Sequence, residues 1–149
     1  MQSVKSAASV RMIENRTFDE IAVGDSASLS RTVSQQDIEL FAVISGDVNP
    51  ADMDPAYADA DMFHKIIAQG MLEAGLISAV LGTELPGPGT IYLGQDLRFL
   101  HPVSIGDRIT ATLTVTEKQP ENVDVTLDCR CSNQNGELVI SGTAYVRAP

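Results

Sequence analysis

From Ala68 to Gly82 the chain reads AQGMLEAGLISAVLG, and only Gln69, Glu73 and Ser78 carry polar side chains. A surface helix keeps a wide polar stripe. This segment has none, so a helix here must be surrounded by other structure. At about 1.5 Å per residue it is about 22 Å long, too short and too glycine-interrupted to span a membrane. Its opening turn follows Gln69-Gly70. The first N–H groups of a helix lack internal partners and carry the positive end of its dipole, so a carbonyl oxygen or an oxyanion can sit there.

The surrounding structure is legible as strands. Asp25 to Val33 alternates small or apolar with polar residues after a Val23-Gly24 turn. Ser34, three residues before Asp37, opens a short helix through Ile38, Phe41, Ala42 and Ser45 that ends at Gly46. After the buried helix, Leu85-Pro-Gly-Pro-Gly89 stops regular structure. Ile91, Leu93, Leu97 and Phe99 share one parity of a strand, and the chain turns again at Gly106-Asp107. Ile109, Ala111, Leu113 and Val115 alternate with threonines, and Val123 to Cys131 alternates likewise before a tight Asn133-to-Gly136 turn. Glu137 to Val146 completes an antiparallel meander. Its apolar face needs a cover, and the 68–82 helix is the one upstream segment apolar enough.

Immediately upstream of that helix, Asp47, Asn49, Asp52 and Asp54 fall within eight consecutive positions, with Pro50 and Pro55 excluding a continuous helix. Carboxylates on a rigid loop against a buried helix start suit acid–base work. They would equally cap a short helix over Pro55 to Ala60, and spacing alone does not separate the two. The series lacks the glycine and terminal glutamate of a calcium loop, and no metal site is expected.

The chain has 149 residues, 44% of them hydrophobic, which suits one domain. We read residues 1–16 as a flexible tail and 17–149 as the folded unit. A net charge of −10 argues against nucleic acid or an anionic membrane as partner, since either requires a basic face. Cys129 and Cys131, an i, i+2 pair within a strand, read as core residues. The first residues hold no apolar run of signal-peptide length, so a cytoplasmic location is expected.

SGDVNP-x-D-x-D, AQGM, LPGPGTIYLGQDLRFLHPV and IGDRIT occur in this order, and together they resemble the MaoC-like, (R)-specific enoyl-CoA hydratase family from about Phe18 to Val146. Among its members the likeness looks closest to the hydratase-like domain at the amino end of bifunctional enoyl-CoA hydratase/phosphate acyltransferases. The resemblance implies an α+β hotdog fold, an antiparallel sheet wrapped around a long helix, and a homodimer. It implies reversible hydration of a trans-2-enoyl-CoA to the (R)-3-hydroxyacyl-CoA in fatty acid metabolism, with coenzyme A entering only as part of the substrate. Asp47 would activate water and the Gly70 N–H would polarise the thioester carbonyl. Asn49 and Gln69 would bind substrate, as would an acyl wall of Met71, Leu72, Tyr92, Leu93 and Gly94, although core packing accounts for several of these equally well.

Two positions depart from the family pattern. Asp52 stands where the family has histidine, and Gln69 replaces the histidine of its A-H-G-M run. Imidazole titrates near about 6.5 and a free aspartate near about 3.9, so Asp52 is the weaker base. Losing general acid–base help typically costs about 10²- to 10⁴-fold. Two close aspartates would divide acid and base between them. The resemblance therefore leaves three activities open, a hydratase with Asp52 as the altered partner, a non-catalytic acyl-CoA-binding module, and a thioesterase that activates water with a carboxylate. His64 and His101 read as solvent-facing or capping. Lys65, Arg98, Arg108 and Arg130 are the cations closest in sequence to the implied site.

Overall fold

The computed structural model describes residues 14–48 and 67–149. Along the chain run β1 (Ser26–Thr32), α1 (Gln35–Ser45), α2 (Gly70–Thr83), β2 (Ile91–Phe99), β3 (Arg108–Gln119), β4 (Asp124–Ser132) and β5 (Leu138–Arg147). The strands form one antiparallel sheet in the order β1-β3-β4-β5-β2, and this α+β hotdog arrangement places α2 against the sheet. Among the described residues no helix is long and apolar enough to cross a membrane.

Period-two alternation settles the inner face. Ile109, Ala111, Leu113 and Val115 of β3 and Val125, Leu127, Cys129 and Cys131 of β4 are all buried, and they meet Ile77, Val80 and Leu81 of α2. Each such leucine or isoleucine taken out of water contributes on the order of 1.5–3 kcal/mol. Both cysteines are free thiols in this core, as their spacing implied.

Local chemistry sets α1. The Ser34 hydroxyl accepts from the Asp37 N–H and the Asp37 carboxylate accepts from the Ser34 N–H, each at 3.1 Å, closing a capping box. At the other end Gly46 adopts φ 79°, a left-handed cap that few other residues take cheaply.

Three expectations need correction. α2 begins at Gly70 rather than Ala68, because the Ala68 N–H donates to the Val103 carbonyl at 2.7 Å and Ile67 pairs with Ser104, which keeps the backbone extended up to Gln69. Nor is α2 enclosed all round in a single chain. Met71, Gly75, Ser78 and Gly82 form an exposed stripe, one that hydropathy hides because two of the four are glycine. The parity drawn for β2 is also broken. Tyr92 pairs with Val146 and Gly94 with Tyr145, leaving Leu93 as the extra residue of a bulge. The side chains that share one register are Tyr92, Gln95, Leu97 and Phe99, with Gln95 and Leu97 half-buried and Tyr92 and Phe99 exposed at the two ends, while Ile91 and Leu93 fall outside it.

Asn15 and Arg16, assigned to the tail by sequence, bond to the turn after α2. Asn15 Nδ2 donates to the Pro88 carbonyl at 3.1 Å and the Arg16 N–H to the Pro86 carbonyl at 2.7 Å.

Candidate active site

A cavity of about 510 Å³ opens where the end of α1, the start of α2 and the far end of β2 converge. Asp47, Gly70, Met71 and Glu73 border it on one side, and Phe99, Leu100, His101, Val139 and Ile140 on the other.

Each half of the site is held by its element. Past Gly46, the Asp47 N–H donates to Ser45 Oγ at 3.1 Å, and Ser45 Oγ donates to the Phe41 carbonyl at 2.6 Å. The Asp47 carbonyl is held from behind, since Gln69 Nε2 donates to it at 3.4 Å and to the Ile38 carbonyl at 3.2 Å. Both partners are carbonyl oxygens, so the NH₂ end of the amide must face them. Gln69 Oε1 is then buried with no hydrogen-bond partner among the described residues. Gln69 is the N-cap of α2, extended and without a side-chain cap bond, and Gly70 is the first helical residue. The uncapped start of α2 thus stands at the cavity wall, the arrangement that accommodates a polarised carbonyl oxygen.

Gly70 has a steric reason as well. A Cβ at this position would lie 2.9 Å from both Cδ1 and Cε1 of Phe99. Only glycine lets the ring pack against the helix start.

Of the other residues singled out by sequence, Met71 borders the same cavity and, on its far side, a groove with Tyr92, Gln95, Leu97 and Ser78. Tyr92 hydrogen-bonds Gln95 Oε1, and desolvation pushes its phenol up to about 12. Leu72 borders a third hollow, between α1 and α2. Leu93 is the bulge residue, and a Cβ on Gly94 would contact the Tyr145 ring at 3.6 Å. Asn49, Asp52, Asp54, His64 and Lys65, with the expected Pro55-to-Ala60 helix, lie outside the described residues. Arg98 and Arg130 lie on the outer face of the sheet beside Asp96 and Asp128, where Arg130 pairs with Asp128 at 3.1 Å. Arg108 opens β3, its N–H donating to Gln134 Oε1. None of the three borders the cavity.

Sequence reasoning gave no role to Glu73 and set His101 aside. His101 borders the cavity with Nε2 3.6 Å from Glu137 Oε1. Glu73 is 2% exposed in the first turn of α2. The available signal was a carboxylate inside an otherwise apolar helix, which packing alone does not call for. Burial pushes the Cys131 thiol up to about 12, with Cys129 and then Glu73 adding to the effect. Among the described residues no group of three His, Cys, Asp or Glu could hold a metal ion.

Residues 6–130 match the MaoC-like domain family. The chain is 52% identical over 132 residues to the (R)-specific enoyl-CoA hydratase of Rhodospirillum rubrum, covering 89% of this chain and 91% of that protein. It is 42% identical to the (R)-specific enoyl-CoA hydratase of Aeromonas caviae over 87% of this chain and 96% of that one. The solved R-hydratase PhaJ1 of Pseudomonas aeruginosa in its unliganded form superposes with a TM-score of 0.88 at 47% identity, covering 91% of this chain and 86% of its own. With the buried helix, the wrapped sheet and the Asp47–Gly70 cavity in hand, these likenesses establish that the chain belongs to the MaoC-like domain family.

Proposed function

We propose that this protein catalyses the reversible hydration of a trans-2-enoyl-CoA to the (R)-3-hydroxyacyl-CoA, in the cytoplasm. The carrying observation is the shared cavity in which the Asp47 segment and the amino end of α2 meet, tied together by the Gln69 amide. Family membership and the names of the R. rubrum and A. caviae relatives supply the substrate class. In this reading the thioester oxygen lies at the Gly70 N–H, Asp47 takes a proton from the attacking water, and the apolar walls receive the acyl chain. The finer likeness, to the hydratase-like domain of bifunctional hydratase/phosphate acyltransferases, rests on motif order alone.

Incubation with crotonyl-CoA tests this when loss of the conjugated enoyl absorbance and release of free thiol are followed together. Hydration removes the absorbance alone and yields the (R) product. Thiol release would identify a thioesterase instead, and tight binding with neither change a non-catalytic module.

The proposal includes a homodimer. Among the described residues β2 is an edge strand, paired only with β5, and it carries exposed Ile91, Tyr92, Leu93 and Phe99 next to the exposed stripe of α2. Unpaired edges and contiguous apolar patches of this kind are normally covered. Light scattering on the purified chain should give twice the 15.9 kDa chain mass, and Leu93→Asp should shift it toward monomer.

A further inference from the structure

Glu73 is one of only three polar or charged residues buried among those described, and it stands in a helix otherwise built to pack. Taking a carboxyl group out of water is costly. The residue borders the cavity that holds Asp47 and Gly70, and on its other side the apolar hollow between α1 and α2. No other described residue borders both. Gly70 and Glu73 are one turn apart on the same face of α2. Helical side chains lean toward the amino end, the direction of the turn that starts at Gly70.

We infer that Glu73 is a catalytic residue of the hydration proposed above, the acid that completes Asp47 as a pair. The inference rests on that reading of the cavity, and it gives Glu73 the part that the sequence alone assigned to Asp52. Asp47 takes a proton from water as the water oxygen bonds to C3 of the enoyl thioester. The C2–C3 π electrons shift toward the thioester oxygen, held at the Gly70 N–H. They return to form the C2–H bond with the proton of the Glu73 carboxyl. One O–H bond of water and one carboxyl O–H break, while a C3–O, a C2–H and a new carboxyl O–H form. The pair ends with the proton it began with, moved from one member to the other, and exchange with solvent resets it. Dehydration runs the same steps backward.

Three measurements on the full chain and its Glu73→Gln and Glu73→Asp variants test this. They are crotonyl-CoA hydration across pH, exchange of the C2 proton of (R)-3-hydroxybutyryl-CoA in D₂O, and binding of unreactive butyryl-CoA. Glu73→Gln should lower kcat and exchange together by about 10²- to 10⁴-fold at every pH measured, while KM and butyryl-CoA affinity hold. Glu73→Asp should recover part of the rate. Near-wild-type exchange in Glu73→Gln, or a rate loss matched by lost binding, overturns the inference and leaves the hydratase reading standing. So does an Asp52→Asn variant that stops exchange while Glu73→Gln does not. A wild-type chain that binds butyryl-CoA but neither hydrates nor exchanges overturns the hydratase reading, and this inference falls with it.

Discussion

Replacing Gly70 with alanine separates what the start of α2 does for the reaction from what it does for the fold. The new Cβ would stand 2.9 Å from Cδ1 and Cε1 of Phe99 and 3.5 Å from Cζ. Carbon–carbon contacts are comfortable at about 3.5–4.0 Å, so the ring must retreat by roughly 0.5–1 Å. Phe99 is 53% exposed and has room to do so, at a cost of about 0.5–1.5 kcal/mol for an off-rotamer ring. Against this, alanine in a helix gains about 0.5–1 kcal/mol over glycine, and Gly70 has no positive φ to lose. The two effects nearly offset, so the melting temperature should stay within about 4–8 °C of wild type. Activity has no such offset. The methyl group and the displaced ring occupy the approach to the Gly70 N–H, and removing one donor of this kind costs about 2.7–4 kcal/mol, or about 10²–10³ in kcat. Crotonyl-CoA turnover and a thermal melt on the same preparation read both quantities. Phe99→Ala in the Gly70→Ala background should recover part of the rate, a coupling of about 0.5–3 kcal/mol. A Gly70→Ala protein that keeps its fold and turns over at the wild-type rate would refute the assignment of the thioester oxygen to this amide.

Further expectations follow from other contacts. A Cβ on Gly142 would lie 2.0 Å from the Asp96 carbonyl oxygen, so Gly142→Ala must push β2 off β5, costing at least about 1–3 kcal/mol in denaturant unfolding. The Arg31 guanidinium, at 2.5 and 3.1 Å, and the Ser34 N–H hold the Asp37 carboxyl below its usual range. A carboxyl lowered on folding adds stability above its unfolded pKa and loses it as pH falls through the folded one. Asp37→Asn should therefore cost about 1 kcal/mol at neutral pH, and its difference from wild type should shrink below about pH 4, as read by melts across pH. Burial pushes the Cys129 and Cys131 thiols up to about 11 and about 12, so iodoacetamide at pH 8 should label neither until denaturant opens the sheet.

How much of this was legible depended on the range of the forces involved. The Ser34–Asp37 box spans three residues and is written in the sequence, as is the alternation of β3 and β4, whose pattern answers to a single buried face. The β2 bulge is fixed by its pairing with β5, some fifty residues away, and no count along β2 reveals where the ladder gains a residue. Asp47 and Gly70 were found through the order of motifs around them. Phe99, His101, Val139 and Ile140 reach the cavity only through the sheet, so their sequence neighbours hold no trace of it. The resemblance put Gln69 at the position of the family's A-H-G-M histidine, and the Nε2 bonds it makes to the carbonyls of Ile38 and Asp47 are a choice of rotamer that spacing does not encode.

Leu93 has no opposite number on β5, yet the residues on either side of it do, Tyr92 with Val146 and Gly94 with Tyr145. Deleting it would therefore leave every rung of the ladder in place and take away only the bend and added twist that a surplus residue imposes. The shortened strand would run straight and offer solution a regular row of N–H and C=O groups. Such a border accepts almost any extended chain. One irregular residue thus keeps this margin of the sheet selective, and a protein shortened there should stay folded while becoming prone to aggregate.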